Sequence, residues 1–233
     1  MSTASYLSRR GELETYFDRT AADAWAKLTS DAPVSYIRAT VRAGRDRMRD
    51  FLLGCLPDDL LGARVLDAGC GTGALSVEAA RRGASVTAID LSATLVQLAR
   101  ERTPRDLGRG DISFAVGDMS APELGQFDYV VAMDSLIHYR APDMSRVVAS
   151  LAARASKSVV FTFAPRTPML TVMHEVGRLF PRGDRAPAIE PVGAGAIRKR
   201  LLAEPGLAGW TLGRDARISS GFYKSHALEV TRA

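Results

Sequence analysis

Asp67, Gly69, Gly71, Gly73 and Asp90 are the residues whose types and spacing could do chemistry in this chain. A short apolar run, Val65-Leu66, ends in Asp67. The alternating glycines of Gly69-Cys70-Gly71-Thr72-Gly73 then lead into an amphipathic stretch from Ala74 to Arg82. Glycine has no Cβ, so backbone can turn sharply there and a ligand can lie against it. About one βαβ unit later, Val86-Thr87-Ala88-Ile89 ends in Asp90, where a carboxylate can accept hydrogen bonds from both hydroxyls of a ribose. The pattern predicts a nucleoside pocket at the carboxyl edge of a parallel sheet.

Gly69-Cys70-Gly71-Thr72-Gly73-Ala74 also fits the dinucleotide fingerprint G-x-G-x-x-G/A, so the glycines alone admit NAD or FAD. Asp67 argues against both, because it sits beside the place where a pyrophosphate would put negative charge. S-adenosylmethionine carries no phosphate, and its sulfonium and ammonium are cations that a strand-end carboxylate favours. The run Asp67-x-Gly69-x-Gly71-x-Gly73 resembles the first motif of the class I S-adenosylmethionine-dependent methyltransferases. The resemblance implies an α/β, Rossmann-like fold. It has a mostly parallel seven-stranded sheet flanked by helices and closed by an antiparallel C-terminal hairpin.

The elements that must hold this loop are legible around it. From Arg64 the sequence alternates, with strands expected at Arg64–Asp67, Ser85–Asp90, Ile112–Val116, Tyr129–Met133 and Ser158–Phe163. Helices are expected between them at Gly73–Arg82, Ala93–Arg102 and Asp143–Ala155, with Ser92 as an N-cap. Strands alternating with helices imply parallel pairing through right-handed crossovers. Residues 1–54 read as a helical cap, with one amphipathic helix over Glu12–Leu28 and a second over Ser35–Leu53. Residues 55–233 read as the methyltransferase domain. Within it, 164–193 reads as a lid-like insertion, including a helix over Met169–Phe180 and a turn-rich run from Pro181 to Pro187. A short helix at Ala194–Leu202 and closing strands at Trp210–Arg214 and His226–Thr231 complete the chain.

Bulk properties exclude several classes. A length of 233 residues suits one α/β domain with additions, and 46% hydrophobic with 24% charged residues is ordinary for a soluble globular chain. No run approaches the ~18 apolar residues of a membrane span, and Met1–Glu14 lacks a signal peptide's apolar region. The cysteines, Cys55 and Cys70, and the histidines, His138, His174 and His226, have no metal-ligand spacing, so no protein-bound metal is expected. The formal charge of +5 comes almost wholly from arginine. With no nucleic-acid motif in the sequence, it points to an anionic small molecule or membrane surface.

More of the chain carries a narrower resemblance. Tyr16-Phe17-Asp18-Arg19-Thr20 with Trp25, Ile37-Arg38 to Val41-Arg42-Ala43-Gly44, Val65–Gly73, Asp134-Ser135-Leu136-Ile137-His138-Tyr139 and Phe222-Tyr223-Lys224-Ser225 are together similar to the magnesium-protoporphyrin IX O-methyltransferases. Arg140 departs from the family pattern, where proline is expected after His-Tyr, and the basic residues Arg45, Arg47 and Arg49 are a second departure.

The resemblance implies transfer of a methyl group from S-adenosylmethionine to one propionate of magnesium protoporphyrin IX, in chlorophyll or bacteriochlorophyll biosynthesis. Magnesium would arrive only as part of the substrate. It assigns cofactor contacts to Asp67, Gly69, Cys70, Gly71, Gly73, Asp90 and Leu91, and to Asp118 at the adenine amino group with Met119 on the ring. Met133 stands at the end of the fourth strand, and Arg42 or, in competition, Arg38 would take the methionyl carboxylate. Tyr16 and His138 are the expected catalytic pair, His138 either orienting the propionate or approaching the magnesium. The porphyrin-binding subunit of magnesium chelatase is the implied protein partner. A cytoplasmic location, or one on the photosynthetic membrane surface, follows. A quinone hydroxyl methyltransferase with His138 as general base, and a non-catalytic adenosylmethionine-binding porphyrin carrier, are the competing readings.

Overall fold

The computed structural model describes residues 3–19, 29, 35–166 and 189–233. Its sheet comprises β1 (Arg64–Ala68), β2 (Ser85–Asp90), β3 (Asp111–Val116), β4 (Phe127–Ala132), β5 (Ala155–Phe163), β6 (Trp210–Ser220) and β7 (Tyr223–Arg232). The spatial order is β3-β2-β1-β4-β5-β7-β6. β1 to β5 run parallel, and β7 is antiparallel to both β5 and β6. The order reverses at β1, between β2 and β4, so the carboxyl ends of β1 and β4 open a crevice at the switch point.

The described helices are α1 (Ala4–Arg19), α2 (Tyr36–Gly54), α3 (Ala74–Arg81), α4 (Ala93–Arg102), α5 (Ala141–Ala152) and α6 (Ala194–Leu202). Ser92 caps α4 as expected, its hydroxyl accepting from the Leu95 amide at 3.2 Å. One apolar core lies under α5 and α6, with Leu66, Val130, Phe161 and Leu228 from the sheet. The other lies under α2 and α3, with Val65, Val86, Val131 and Val160. Strands buried on both faces read as continuous apolar runs, which is why β1, β4 and β5 are plain in the sequence.

Several boundaries differ from expectation for local reasons. α5 starts at Ala141, with Pro142 in its first turn where no N–H partner is needed. It ends early because Arg154 turns the chain, its carbonyl accepting from the Phe127 amide at 2.8 Å, so β5 begins at Ala155. β6 and β7 are longer than expected and meet at Gly221, whose φ is +54°. α1 begins at Ala4, not near Glu12. Of the expected first helix, residues 20–28 with Trp25 lie outside the described residues. So do the helix over Met169–Phe180, the run Pro181–Pro187 and most of the expected insertion.

α1 lies across the carboxyl edge and is tied along its length. Thr3 and Ser5 hydroxyls donate to Asp143 at 2.7 and 2.8 Å. Near the other end, Asp18 accepts from the Thr94 amide at 3.0 Å and from its hydroxyl at 2.9 Å, at the start of α4. α2 packs on the β6–β7 hairpin, close enough that a Cβ on Gly44 would stand 2.6 Å from the Tyr223 ring.

Candidate active site

A cavity of about 740 Å³ opens at the switch point, within the usual range for ligand sites. Its cofactor half is built by the β1–α3 loop. Gly69 and Gly71 have φ of +86° and +53°, and a Cβ on Gly69 would lie 2.4 Å from that of Ser135. Asp90 anchors this loop, its carboxylate accepting from the Gly71 amide at 2.8 Å and the Ser92 amide at 3.0 Å. Asp67, only 1% exposed, accepts from the Ser76 hydroxyl at 2.6 Å.

Of the expected cofactor residues, Asp67, Gly69, Cys70, Gly71, Asp90, Leu91, Met119, Met133, Arg38 and Arg42 line the cavity. Gly73 and Asp118 do not. Gly73 serves packing: a Cβ there would come within 3.1 Å of Ala99 and 3.4 Å of the Phe114 ring. The Asp118 carboxylate accepts from the Tyr6 hydroxyl at 2.6 Å and Arg10 at 3.0 Å, both on α1. Burial would raise its pKa, but hydrogen bonds from Tyr6, the Ser120 amide and Arg10 outweigh burial and hold it below the usual carboxylate range. Its neighbours Gly117 and Met119, not Asp118, face the cavity. Asp118 thus clasps α1 to the end of β3.

The acceptor half joins residues far apart in the chain. Tyr16 and Phe17 from α1 meet His138 from the loop after β4. Phe17 lies edge-on to Tyr16 at 5.2 Å between ring centres and to His138 at 6.0 Å. His138 is 7% exposed, and Leu13, Ile137 and Ile189 add apolar wall. Burial raises the Tyr16 pKa, so its hydroxyl stays protonated and able to donate at neutral pH.

Sequence reasoning gave no role to Asp134, which structures the boundary between the halves. Its φ is +54°, the only positive value at a described non-glycine residue. The carboxylate pairs with Arg45 at 2.5 Å and accepts from the hydroxyls of Tyr223 at 3.1 Å and Ser225 at 3.3 Å. Burial and then the Asp134 charge raise the Tyr223 pKa. The sequence signal was the stripe Arg38, Arg42, Arg45 and Arg49, whose spacing puts all of them on one helical face, and all line the cavity.

These residues fit S-adenosylmethionine. Two strand-end carboxylates, Asp67 and Asp90, line the cavity, and the buried Ser135 Oγ has no hydrogen-bond partner among the described residues. Alanine at Asp90 is expected to weaken cofactor binding by roughly 1–3 kcal/mol while sparing the fold, the range for hydrogen bonds to a charged group. Unchanged adenosylhomocysteine affinity in calorimetry would remove Asp90 from the ribose site.

Asp67 adds a pH dependence. Burial first, and then the Asp90 charge, push its pKa up to about 7 against the Ser76 hydrogen bond. The native state therefore holds a proton that the unfolded chain releases near pH 4. That contribution to stability is complete below pH 4 and is lost as pH rises to about 7. A cationic ligand reverses the preference, because it pairs with the ionised acid. Adenosylhomocysteine affinity is expected to rise with pH up to about 7, then level off, with proton release on binding at pH 6. A flat profile in the Asp67→Asn protein and a sloping one in the wild type would confirm the source; equal slopes would exclude it.

Fold and cavity together define a class I S-adenosylmethionine-dependent methyltransferase. One family model, described as a methyltransferase domain, matches residues 65–157. A second, described as the magnesium-protoporphyrin IX methyltransferase C-terminus, matches residues 132–232. The chain belongs to the magnesium-protoporphyrin O-methyltransferase family. It is 51% identical to the Rhodobacter capsulatus magnesium-protoporphyrin O-methyltransferase over 97% of this chain and 98% of that one. It is 31% identical to the Synechocystis enzyme of that name, over 99% of this chain and 100% of the relative. The crystal structure of magnesium protoporphyrin IX methyltransferase from Synechocystis with bound SAH superimposes with a TM-score of 0.80. That match covers 96% of this chain and 100% of the other at 30% identity.

Proposed function

We propose that this protein transfers the methyl group of S-adenosylmethionine to a propionate of magnesium protoporphyrin IX, yielding the monomethyl ester and S-adenosylhomocysteine in chlorophyll or bacteriochlorophyll biosynthesis. The observation that carries the reading is the cluster of Tyr16, Phe17 and His138 with an apolar wall, in the same cavity as the Asp67–Asp90 loop. An apolar ring fits that wall, and the paired polar groups meet its carboxylate.

S-adenosylmethionine supplies an electrophilic methyl on a sulfonium. A propionate has a reference pKa near 4–5, so it is ionised at neutral pH and needs no strong general base. Tyr16 and His138 orient the carboxylate by hydrogen bonding, and the geometry they impose is the main catalytic contribution. Phe17, Ile137 and Ile189 exclude water from a reaction that destroys two opposite charges, which favours the transition state over solvated ions. Arg42 is offered to the methionyl carboxylate. Magnesium belongs to the substrate, and no group of His, Cys, Asp or Glu among the described residues could hold a metal ion.

The test is methyl transfer from labelled S-adenosylmethionine with magnesium protoporphyrin, metal-free protoporphyrin and no porphyrin. Magnesium protoporphyrin is expected to be the preferred acceptor. Activity confined to a phenolic quinone precursor would overturn the porphyrin reading, and binding of both ligands without turnover would favour the carrier.

The magnesium-inserting step lies upstream, so the chelatase's porphyrin-binding subunit is the implied donor. Among the described residues no helix is long and apolar enough to cross a membrane. Tyr36 and Ile37 at the start of α2, and Phe222 on the adjoining hairpin turn, are exposed apolar groups suited to peripheral contact with the photosynthetic membrane.

Within the expected cap, α1 acts in this reading as the part that opens for the ring and closes over it. Within α1, amide exchange is expected to be slower with adenosylhomocysteine bound than without it. Tyr16→Phe should lower turnover more than cofactor affinity. Equal, strong protection of Ala4–Arg19 in both states would sink the cap, and a loss confined to cofactor binding would move Tyr16 to the cofactor side.

A further inference from the structure

We propose that Arg38 receives the porphyrin carboxylate that is not methylated, and that losing this ion pair holds the reaction at the monoester. The inference rests on the porphyrin reading above. Arginines 38, 42, 45 and 49 run along the cavity wall, about 16 Å from first to last at 1.5 Å per residue. The inner ones are engaged, Arg45 with Asp134 at 2.5 Å and Arg49 with Asp46 at 3.1 Å. Arg38, in the first turn of α2, is exposed at the outer end of the stripe, and its guanidinium has no carboxylate partner among the described residues.

The charge change in the reaction decides which carboxylate a guanidinium can serve. A bond forms between the propionate oxygen and the methyl carbon. The carbon–sulfur bond breaks with its electron pair left on sulfur, so the carboxylate loses its negative charge and the sulfonium its positive charge. A guanidinium on the reacting carboxylate would stabilise the ground state more than the transition state and slow the reaction. The second propionate keeps its charge throughout. A charge-assisted pair there orients the ring and stabilises both states alike, leaving the reacting group to the uncharged Tyr16 hydroxyl and to His138.

Monoester selectivity follows. A half-turn of the ring about the in-plane axis between the propionates exchanges them. The diacid offers Arg38 a carboxylate in either orientation. The monoester can bring its remaining carboxylate to the methyl only by setting a neutral ester against Arg38. Second methylation therefore lacks one ion pair.

Wild type and Arg38→Gln would be compared on magnesium protoporphyrin IX and its monomethyl ester, with products separated by chromatography and adenosylhomocysteine affinity measured by calorimetry. The variant is expected to raise KM for the diacid about tenfold with a smaller change in kcat. Its preference for diacid over monoester should narrow so that diester accumulates, at wild-type adenosylhomocysteine affinity. Arg38→Lys, which keeps the charge, should retain most of the preference. An unchanged diacid-to-monoester ratio of kcat/KM in the glutamine variant overturns the proposal. So does a tenfold loss of adenosylhomocysteine affinity, which would put Arg38 on the methionyl carboxylate. A wild-type protein inert on both porphyrins would instead overturn the function itself, a result visible before any variant is made.

Discussion

Asp134→Ala is expected to destabilise the protein by about 3–5 kcal/mol, the cost of removing one partner from a buried charge pair. Asp134 and Arg45 side chains are 6% and 19% exposed, so little solvent is at hand to replace the lost charge. The hydroxyls of Tyr223 and Ser225 lose the same acceptor. Alanine also tolerates a φ of +54° no better than aspartate, so the substitution relieves no strain. For a chain of this size, that should lower Tm by roughly 10 °C. Activity should fall further than stability explains, because Ser135 and His138 hang on the same loop. The double variant Asp134→Ala, Arg45→Met separates the causes: removing both charges should recover more than half of the loss. A single variant costing under 1 kcal/mol, or a double no better than the single, would show that the pair does not hold the loop.

What the sequence disclosed, and what it hid, divides by distance along the chain. β1, β2 and the glycine loop were legible because an apolar run, a terminal acid and alternating glycines sit within a few residues of one another. Asp90 was found by its spacing from that loop, and it closes it through the Gly71 amide. α1 was placed too late because its first turns are held by Thr3 and Ser5 on Asp143 and by Tyr6 on Asp118, contacts across more than a hundred residues with no local apolar pattern. The same contacts engage Asp118, whose carboxylate accepts from Tyr6 and Arg10 of α1. Asp134 has no local signature, since its partners come from α2, β5 and β7. A left-handed aspartate leaves no mark in a sequence; only the assembled sheet brings Arg45, Thr162, Tyr223 and Ser225 to it.

Gly69→Ala is expected to lower adenosylhomocysteine affinity about a hundredfold. The residue sits at φ +86°, where a side chain costs roughly 1–2 kcal/mol. Its Cβ would also meet that of Ser135 at 2.4 Å, far inside contact distance, and forced overpacking costs a further 1–3 kcal/mol. The β1–α3 loop and the loop after β4 would have to part, and both line the cavity. The strain should therefore appear largely as lost affinity, where about 2.7 kcal/mol corresponds to a hundredfold change. Gly73→Ala gives the contrast. Its Cβ would press on Ala99 and Phe114 between α4 and β3, away from the ligand, so melting temperature should fall with a smaller change in affinity. Adding Ser135→Gly to Gly69→Ala removes the colliding Cβ but leaves the backbone strain. The double variant should regain part of the affinity, less whatever the Ser135 hydroxyl contributes to the ligand. If Gly69→Ala binds adenosylhomocysteine as the wild type does, the two loops are not in the close register that the structure shows.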